Sequence, residues 1–110
     1  MLNLAIIGCG NIANFHVPAM KLAGFNVSSV SGRNGSYDYL KNFCNIHSLN
    51  EVKIFDSSEE LLDTNNWDAL LISCPTDSII KYLKVAVTKN KPILVGKIGI
   101  FYQYPLRLPT

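Results

Sequence analysis

The sequence predicts an α/β domain in which a parallel β-sheet is covered by helices on both faces. Short apolar runs alternate along the chain with segments whose apolar residues recur at helical spacing. The runs, such as "LNLAII" at residues 2–7 and "WDALLIS" at residues 67–73, are largely unbroken, as in strands that are buried on both faces. Right-handed crossovers between such strands produce a doubly wound sheet.

Local signals divide the chain into its elements. Gly24 is expected to end the first helix, and Ser57 and Glu60 have the spacing of a capping box at the start of a short helix. The expected strands are 2–7, 25–30, 52–55, 67–73 and 92–96, and the expected helices are 11–23, 37–44, 57–62 and 77–90. Residues 1–98 then form one domain. Residues 99–110, with two prolines and little periodicity, form a tail to which no element is assigned.

The composition argues against several kinds of protein. The net charge is +2, with Lys and Arg scattered, so no surface for nucleic acid or an anionic membrane is expected. No apolar run approaches the roughly 18 residues of a membrane helix, and no signal peptide is expected. The three cysteines, Cys9, Cys44 and Cys74, lack C-x-x-C spacing. They predict reduced thiols in a cytoplasmic protein rather than disulfides or a metal site.

A glycine motif joins the first expected strand to the first expected helix. Residues 8–13, "GCGNIA", match the pattern G-x-G-x-x-G/A of dinucleotide-binding sites. Gly8 permits the tight turn, Gly10 lets a pyrophosphate approach the backbone, and Ala13 lets the helix pack closely on the strand. The alternative is a tight turn that binds nothing. A methyl-donor site is disfavoured, because Ile6 occupies the position at which such sites carry an acidic residue.

The end of the second expected strand bears on the choice of dinucleotide. NAD sites usually place an acidic residue about 20 residues after the motif, on the ribose 2′-OH. Here that position falls on Ser31, in "SVSGRNGS", which has no carboxylate and offers Ser31, Arg33 and Ser36 as phosphate donors. NADP is therefore favoured over NAD. The alternative is that Arg33 is an ordinary residue of a solvated loop.

Three segments resemble a known protein family. The stretches "LAIIGCGNIANFHVPAM", "DALLISCPTD" and "KPILVGK" are similar to the nucleotide-binding half of the glucose–fructose oxidoreductase/inositol dehydrogenase (Gfo/Idh/MocA) family, over roughly residues 2–98. The resemblance implies a Rossmann-type domain that uses NAD or NADP in the oxidation or reduction of sugars, cyclitols and related compounds. It also implies a second domain that supplies much of the substrate pocket and often the dimer interface.

The resemblance implies roles for individual residues. The implied cofactor contacts are Gly8, Gly10, Asn11 and Ile12 at the pyrophosphate, Ser31, Gly32 and Arg33 at the adenosine ribose, and Ser73, Cys74, Pro75 and Thr76 beneath the nicotinamide ribose. Lys97 matches the lysine of the family's V-E-K-P segment and would orient a substrate hydroxyl or assist proton transfer. Gly96 and Ile98 replace the glutamate and proline of that segment, so an ordinary strand-end lysine is the alternative.

The remaining candidates complete the functional hypothesis. His16 is expected to be structural, His47 is expected to be a solvated loop residue, and the family's later D-x-x-x-H pattern has no match.

We expect the NAD(P)-binding domain of an oxidoreductase, truncated or split and inactive alone. Its partner would be a separately encoded substrate domain or a second copy. The alternatives are a free-standing, non-catalytic nucleotide-binding or regulatory module, and a structural partner that uses the fold without nucleotide.

Overall fold

The computed structural model describes residues 1–32, 37–49, 51–64, 66–74, 76–97 and 100–104. The strands in these ranges are β1 Leu2–Ile7, β2 Phe25–Ser31, β3 Lys53–Phe55, β4 Ala69–Ile72, β5 Ile93–Lys97 and β6 Ile100–Tyr104. The helices are α1 Asn11–Leu22, α2 Tyr37–Ile46, α3 Ser58–Asp63 and α4 Thr76–Ala86, followed by a 3₁₀ turn at Val87–Lys89. None of the helices within the described ranges has the length and hydropathy needed to cross a membrane.

The strands form one sheet with the order β3-β2-β1-β4-β5-β6. β1 pairs in parallel with both β2 and β4, and the pairs β2–β3 and β4–β5 are also parallel. The order reverses where β1 lies between β2 and β4, which is the topological switch point of a doubly wound sheet. The predicted α/β fold is therefore confirmed.

β6 departs from the parallel arrangement. It pairs antiparallel with β5, with Ile100 opposite Lys97 and Tyr104 opposite Ile93. The strand lies in the tail 99–110, to which the sequence assigns no element, because this strand depends on its pairing with β5 rather than on a local pattern. Residues 98, 99 and 105–110 lie outside the described residues.

The hydrophobic core has two parts, one on each face of the sheet. Leu4 and Ile6 belong to the part that includes residues of α1 and α2, whereas Ala5 and Ile7 belong to the part that includes residues of α3 and α4. All four side chains are at most 1% exposed. Successive side chains of a strand point to opposite faces. Burial on both faces explains why this part of β1 is apolar at every position.

Several element boundaries differ from the sequence prediction, among them the start of β4 and the end of the last helix. β4 begins at Ala69 rather than at residue 67; before it, Asn3 N–H donates to Asp68 Oδ2 (2.7 Å) and Asp68 N–H donates to Asn3 O (2.8 Å). The last helix ends at Ala86 rather than at residue 90. The chain there tightens into the 3₁₀ turn, which Asn90 ends in the left-handed conformation with a φ angle of 56°.

His47, which directly follows the end of α2, connects this helix to α1. Its Nε2 lies 2.7 Å from Asn14 Oδ1, its carbonyl oxygen accepts a hydrogen bond from Lys21 Nζ (3.0 Å), and its ring centroid lies 4.7 Å from that of Phe43. His47 lies in a turn after α2, as expected of a loop residue, but the expectation that it is solvated is wrong, since the ring is half-buried and links two helices. The contact to Asn14 joins residues 33 positions apart, so no local pattern announces it.

Candidate functional site

The glycine motif lies at the switch point, between the carboxyl ends of β2 and β4. Gly8 N–H donates to Ser31 O at the end of β2 (2.9 Å), and Ser73 N–H, just after β4, donates to Ile7 O (2.8 Å). These bonds tie three strand ends together around the glycine turn. Ligands of doubly wound sheets bind in the crevice at this position.

Gly8 brings the turn into direct contact with the end of β4. Its φ angle is +88°, and a Cβ atom built on it would lie 2.6 Å from Ser73 O and 2.9 Å from Cys74 N. Both neighbours are backbone atoms, which cannot rotate aside as a flexible side chain can. A side chain at this position is therefore unfavourable for two reasons, the positive φ angle and the close approach of the Ser73 backbone.

Gly10 leaves the start of α1 open. It is exposed, and a Cβ atom on it would meet nothing within 4 Å among the described residues. Gly10 is the N-cap residue, no side chain of the described residues caps the helix, and its first turn holds no acidic residue. The N–H groups of Asn11 and Ile12 have no acceptor within an α-helix, and the helix dipole adds a partial positive charge. The start of α1 is thus suited to binding an anion.

The Ser31 hydroxyl, which the sequence offers as a phosphate donor, faces the interior. Ser31 is fully buried, and its Oγ lies 2.8 Å from Oγ of Ser58 at the start of α3. The Ser31 carbonyl oxygen accepts the Gly8 N–H bond and a long contact of 3.9 Å from Cys9 Sγ. Ser31 therefore supports the turn from inside the fold. The sequence gives no signal for Ser58, because the two serines are 27 residues apart.

Gly32 directly follows β2 and is half-buried, whereas Arg33 and Ser36 lie outside the described residues. The contacts of Ser31, Gly32 and Arg33 with an adenosine ribose therefore stay predictions.

The segment after β4 forms the other side of the glycine turn. Ser73 and Cys74 are half-buried and Thr76 begins α4, while Pro75 lies outside the described residues. Ser73 Oγ is buried and has no hydrogen-bond partner among the described residues. Most buried hydroxyls have a partner, so this one marks the segment as a place where a ligand or water would complete the bonding. Burial raises the pKa of the Cys74 thiol, which keeps that group neutral.

Lys97 ends β5 at the same edge of the sheet, and its side chain lies outside the described residues. Gly96, which precedes it, is buried, and a Cβ atom there would lie 2.8 Å from Nε2 and 2.9 Å from Cδ2 of His16. The imidazole of His16 therefore fills the space that a side chain at residue 96 would need. Burial lowers the pKa of His16, so the ring is neutral near pH 7.

The cysteines have the properties of reduced, unreactive thiols. All three are free. Burial, with the nearby Cys44 as the second cause, raises the pKa of Cys9, and burial also raises the pKa of Cys44. Across the described ranges, no group of three or more His, Cys, Asp or Glu residues is arranged to hold a metal ion.

Several solved structures share this fold. An oxidoreductase from Thermotoga maritima is 28% identical with a TM-score of 0.75, over 87% of this chain and 29% of its own. A myo-inositol dehydrogenase from Lactobacillus casei, solved with NAD(H) and myo-inositol, is 16% identical with a TM-score of 0.76, over 86% of this chain and 28% of its own. KijD10, a 3-ketoreductase from Actinomadura kijaniata solved with TDP-benzene and NADP, is 21% identical with a TM-score of 0.72, over 86% of this chain and 29% of its own.

These structures are oxidoreductases of the Gfo/Idh/MocA type, and the chain matches their N-terminal part. The resemblance predicted from the sequence is therefore confirmed. The chain spans about 29% of the length of the first of these structures. Neither a protein-family model nor a curated protein sequence matches it.

Proposed function

We propose that the chain binds a nicotinamide dinucleotide and is the NAD(P)-binding part of an oxidoreductase that acts on sugars, cyclitols or related compounds. The observation that carries the proposal is the open, uncapped start of α1 behind Gly10, at the switch point of the sheet. Solved structures that share the fold include one with NAD(H) and myo-inositol and one with NADP.

The residues of the site fit such a cofactor. Gly10 leaves space for a pyrophosphate, and the backbone N–H groups of Asn11 and Ile12 would bind its oxygens. The adenosine would lie toward the end of β2, and the nicotinamide toward the ends of β4 and β5, near Ser73. When bound, the nicotinamide supplies hydride transfer to or from a substrate carbon. Lys97 would orient a substrate hydroxyl or hold its proton.

We further propose that NADP is preferred over NAD. Support comes from the sequence at the end of β2, where Ser31 and Gly32 carry no carboxylate to repel a 2′-phosphate and Arg33 follows as a cation. An arginine–phosphate contact is charge-assisted and can be bidentate. Arg33→Ala is therefore expected to weaken NADPH binding about tenfold and to leave NADH binding nearly unchanged. Equal losses for the two cofactors would show that Arg33 acts on a part that they share.

The complete reaction is proposed to need more protein than these 110 residues. Holding a substrate correctly against the nicotinamide contributes about 7–11 kcal/mol toward lowering the barrier. Residues 1–98 supply the cofactor domain, so we propose a separate substrate domain or a second copy as the partner, and no turnover by this chain alone. The three free cysteines support a reducing, cytoplasmic location.

Isothermal titration with NADPH, NADH and S-adenosylmethionine tests the proposed cofactor. The unaltered chain should bind the nicotinamide cofactors weakly and the methyl donor not at all. Gly10→Val should abolish binding, because its side chain fills the space of the pyrophosphate, while the extended backbone there (φ −81°, ψ −165°) accepts a β-branched residue. Ala19→Val, on the exposed side of the same helix, is the control and should bind normally. No heat with either nicotinamide cofactor at millimolar concentration would overturn the proposal.

A further inference from the structure

One side chain connects the helix of the glycine motif to the end of β5. His16 lies on α1, six positions after Gly10, and its Nε2 atom is buried. The same Nε2 lies 2.8 Å from the place where residue 96 would have its Cβ atom. A Cβ atom so close to the ring requires the imidazole to shift, and the burial of its Nε2 atom limits the space into which it can turn. The position of the His16 ring therefore depends on the absence of a side chain at residue 96.

This contact lies between two parts of the proposed cofactor site. The N-terminal end of α1 carries the backbone N–H groups for the pyrophosphate, and Lys97 follows Gly96 at the carboxyl end of β5. β5 lies on the opposite side of β1 from β2, where the adenosine is placed. The spacing between α1 and β5 at His16 thus bears on the nicotinamide half of the site and leaves the adenosine half unaffected.

We propose that His16 is a positioning residue for the nicotinamide half of the cofactor, acting through Gly96 to set the distance between α1 and the end of β5. This inference rests on the proposed function. The contact is steric, made by a ring against a backbone that lacks a Cβ atom. A larger residue 96 should increase the distance between α1 and the end of β5, and a smaller residue 16 should decrease it. Each substitution should therefore compensate for the other.

The test compares two ligands on four proteins. NADPH contains both halves of the cofactor, whereas 2′,5′-ADP contains the adenosine half alone. Binding of each is measured by titration to the unaltered chain, His16→Ala, Gly96→Ala and the double variant, with the fold of each checked by thermal unfolding. Phe15→Ala is the matched control, because Phe15 neighbours His16 on the same helix but is 79% exposed.

His16→Ala and Gly96→Ala are each expected to weaken NADPH binding about tenfold and 2′,5′-ADP binding less than about twofold. The double variant should recover most of the NADPH affinity, because the alanine at residue 96 occupies the space that the imidazole leaves. Phe15→Ala should change neither ligand.

The outcomes separate the two proposals. Equal losses for NADPH and 2′,5′-ADP, unchanged NADPH binding in both single variants, or a double variant no better than the weaker single one would overturn the role of His16 and leave the proposed function in place. Binding of neither ligand by the unaltered chain would overturn the proposed function, and this inference with it.

Discussion

Gly8 and Gly24 both have positive φ angles, but their surroundings differ. Gly24 (φ +96°) ends α1, and a Cβ atom there would meet nothing within 4 Å among the described residues, whereas one on Gly8 (φ +88°) would meet the backbone of Ser73 at 2.6 Å. The sequence predicts a tight turn at Gly8 and the end of a helix at Gly24. It does not reveal which of them has a close neighbour, because Ser73 lies far along the chain.

Alanine substitutions at these two glycines separate the energetic cost of a positive φ angle from that of a close contact. Gly24→Ala is expected to lower the free energy of unfolding by about 1 kcal/mol, from the left-handed backbone alone. Gly8→Ala should lower it by about 3 kcal/mol, because the clash with a backbone oxygen adds to the conformational cost. Urea denaturation measures both. Equal losses would mean that the close approach to Ser73 contributes nothing.

Two histidines connect α1 to neighbouring elements. His16 packs against the end of β5, and His47 links the end of α2 to Asn14 of α1. Burial lowers the pKa of His16, and burial followed by the Lys21 ammonium lowers the pKa of His47. Below pH 6.5, the ordinary histidine pKa, the unfolded chain consequently binds more protons than the folded one, and stability falls as the pH falls.

Urea denaturation at about pH 7.5 and about pH 5.5 should therefore show a lower free energy of unfolding at the lower pH. His47→Gln is the informative variant, since glutamine keeps an N–H donor for Asn14 Oδ1 but does not titrate. We expect a smaller loss between the two pH values in that variant. A loss of unchanged size would show that His47 does not contribute to it.

The elements were predictable where their cause is local. Unbroken apolar runs indicated five parallel strands, and Ser57 caps α3 by accepting the Glu60 N–H bond at 3.0 Å. β6 was not predictable, because its formation depends on antiparallel pairing with β5. The links from Ser31 to Ser58 and from His16 to Gly96 also join distant segments, so the sequence indicated the glycine turn but not the residues that support it.

At the scale of the whole molecule, those parts of the proposed site that the structure describes lie along the carboxyl edge of one sheet. The glycine turn is in the middle, the end of β2 is on one side, and the ends of β4 and β5 are on the other. α1 runs away from this edge for 12 residues, about 18 Å, so that Lys21 near its far end lies well outside the site. A ligand bound at the carboxyl edge and one bound elsewhere should therefore affect different backbone amides.

Amide chemical shifts recorded by NMR during a titration with NADPH test this account most directly. The largest changes are expected at the amides of residues 8–13, with Ser73 and Cys74 next and almost none at Lys21 and Leu22. The Gly10→Val variant should remove these changes while its spectrum otherwise stays that of the folded chain. Changes centred on Lys21 and Leu22, or no change at saturating NADPH, would contradict the assignment of the glycine turn as a dinucleotide-binding site.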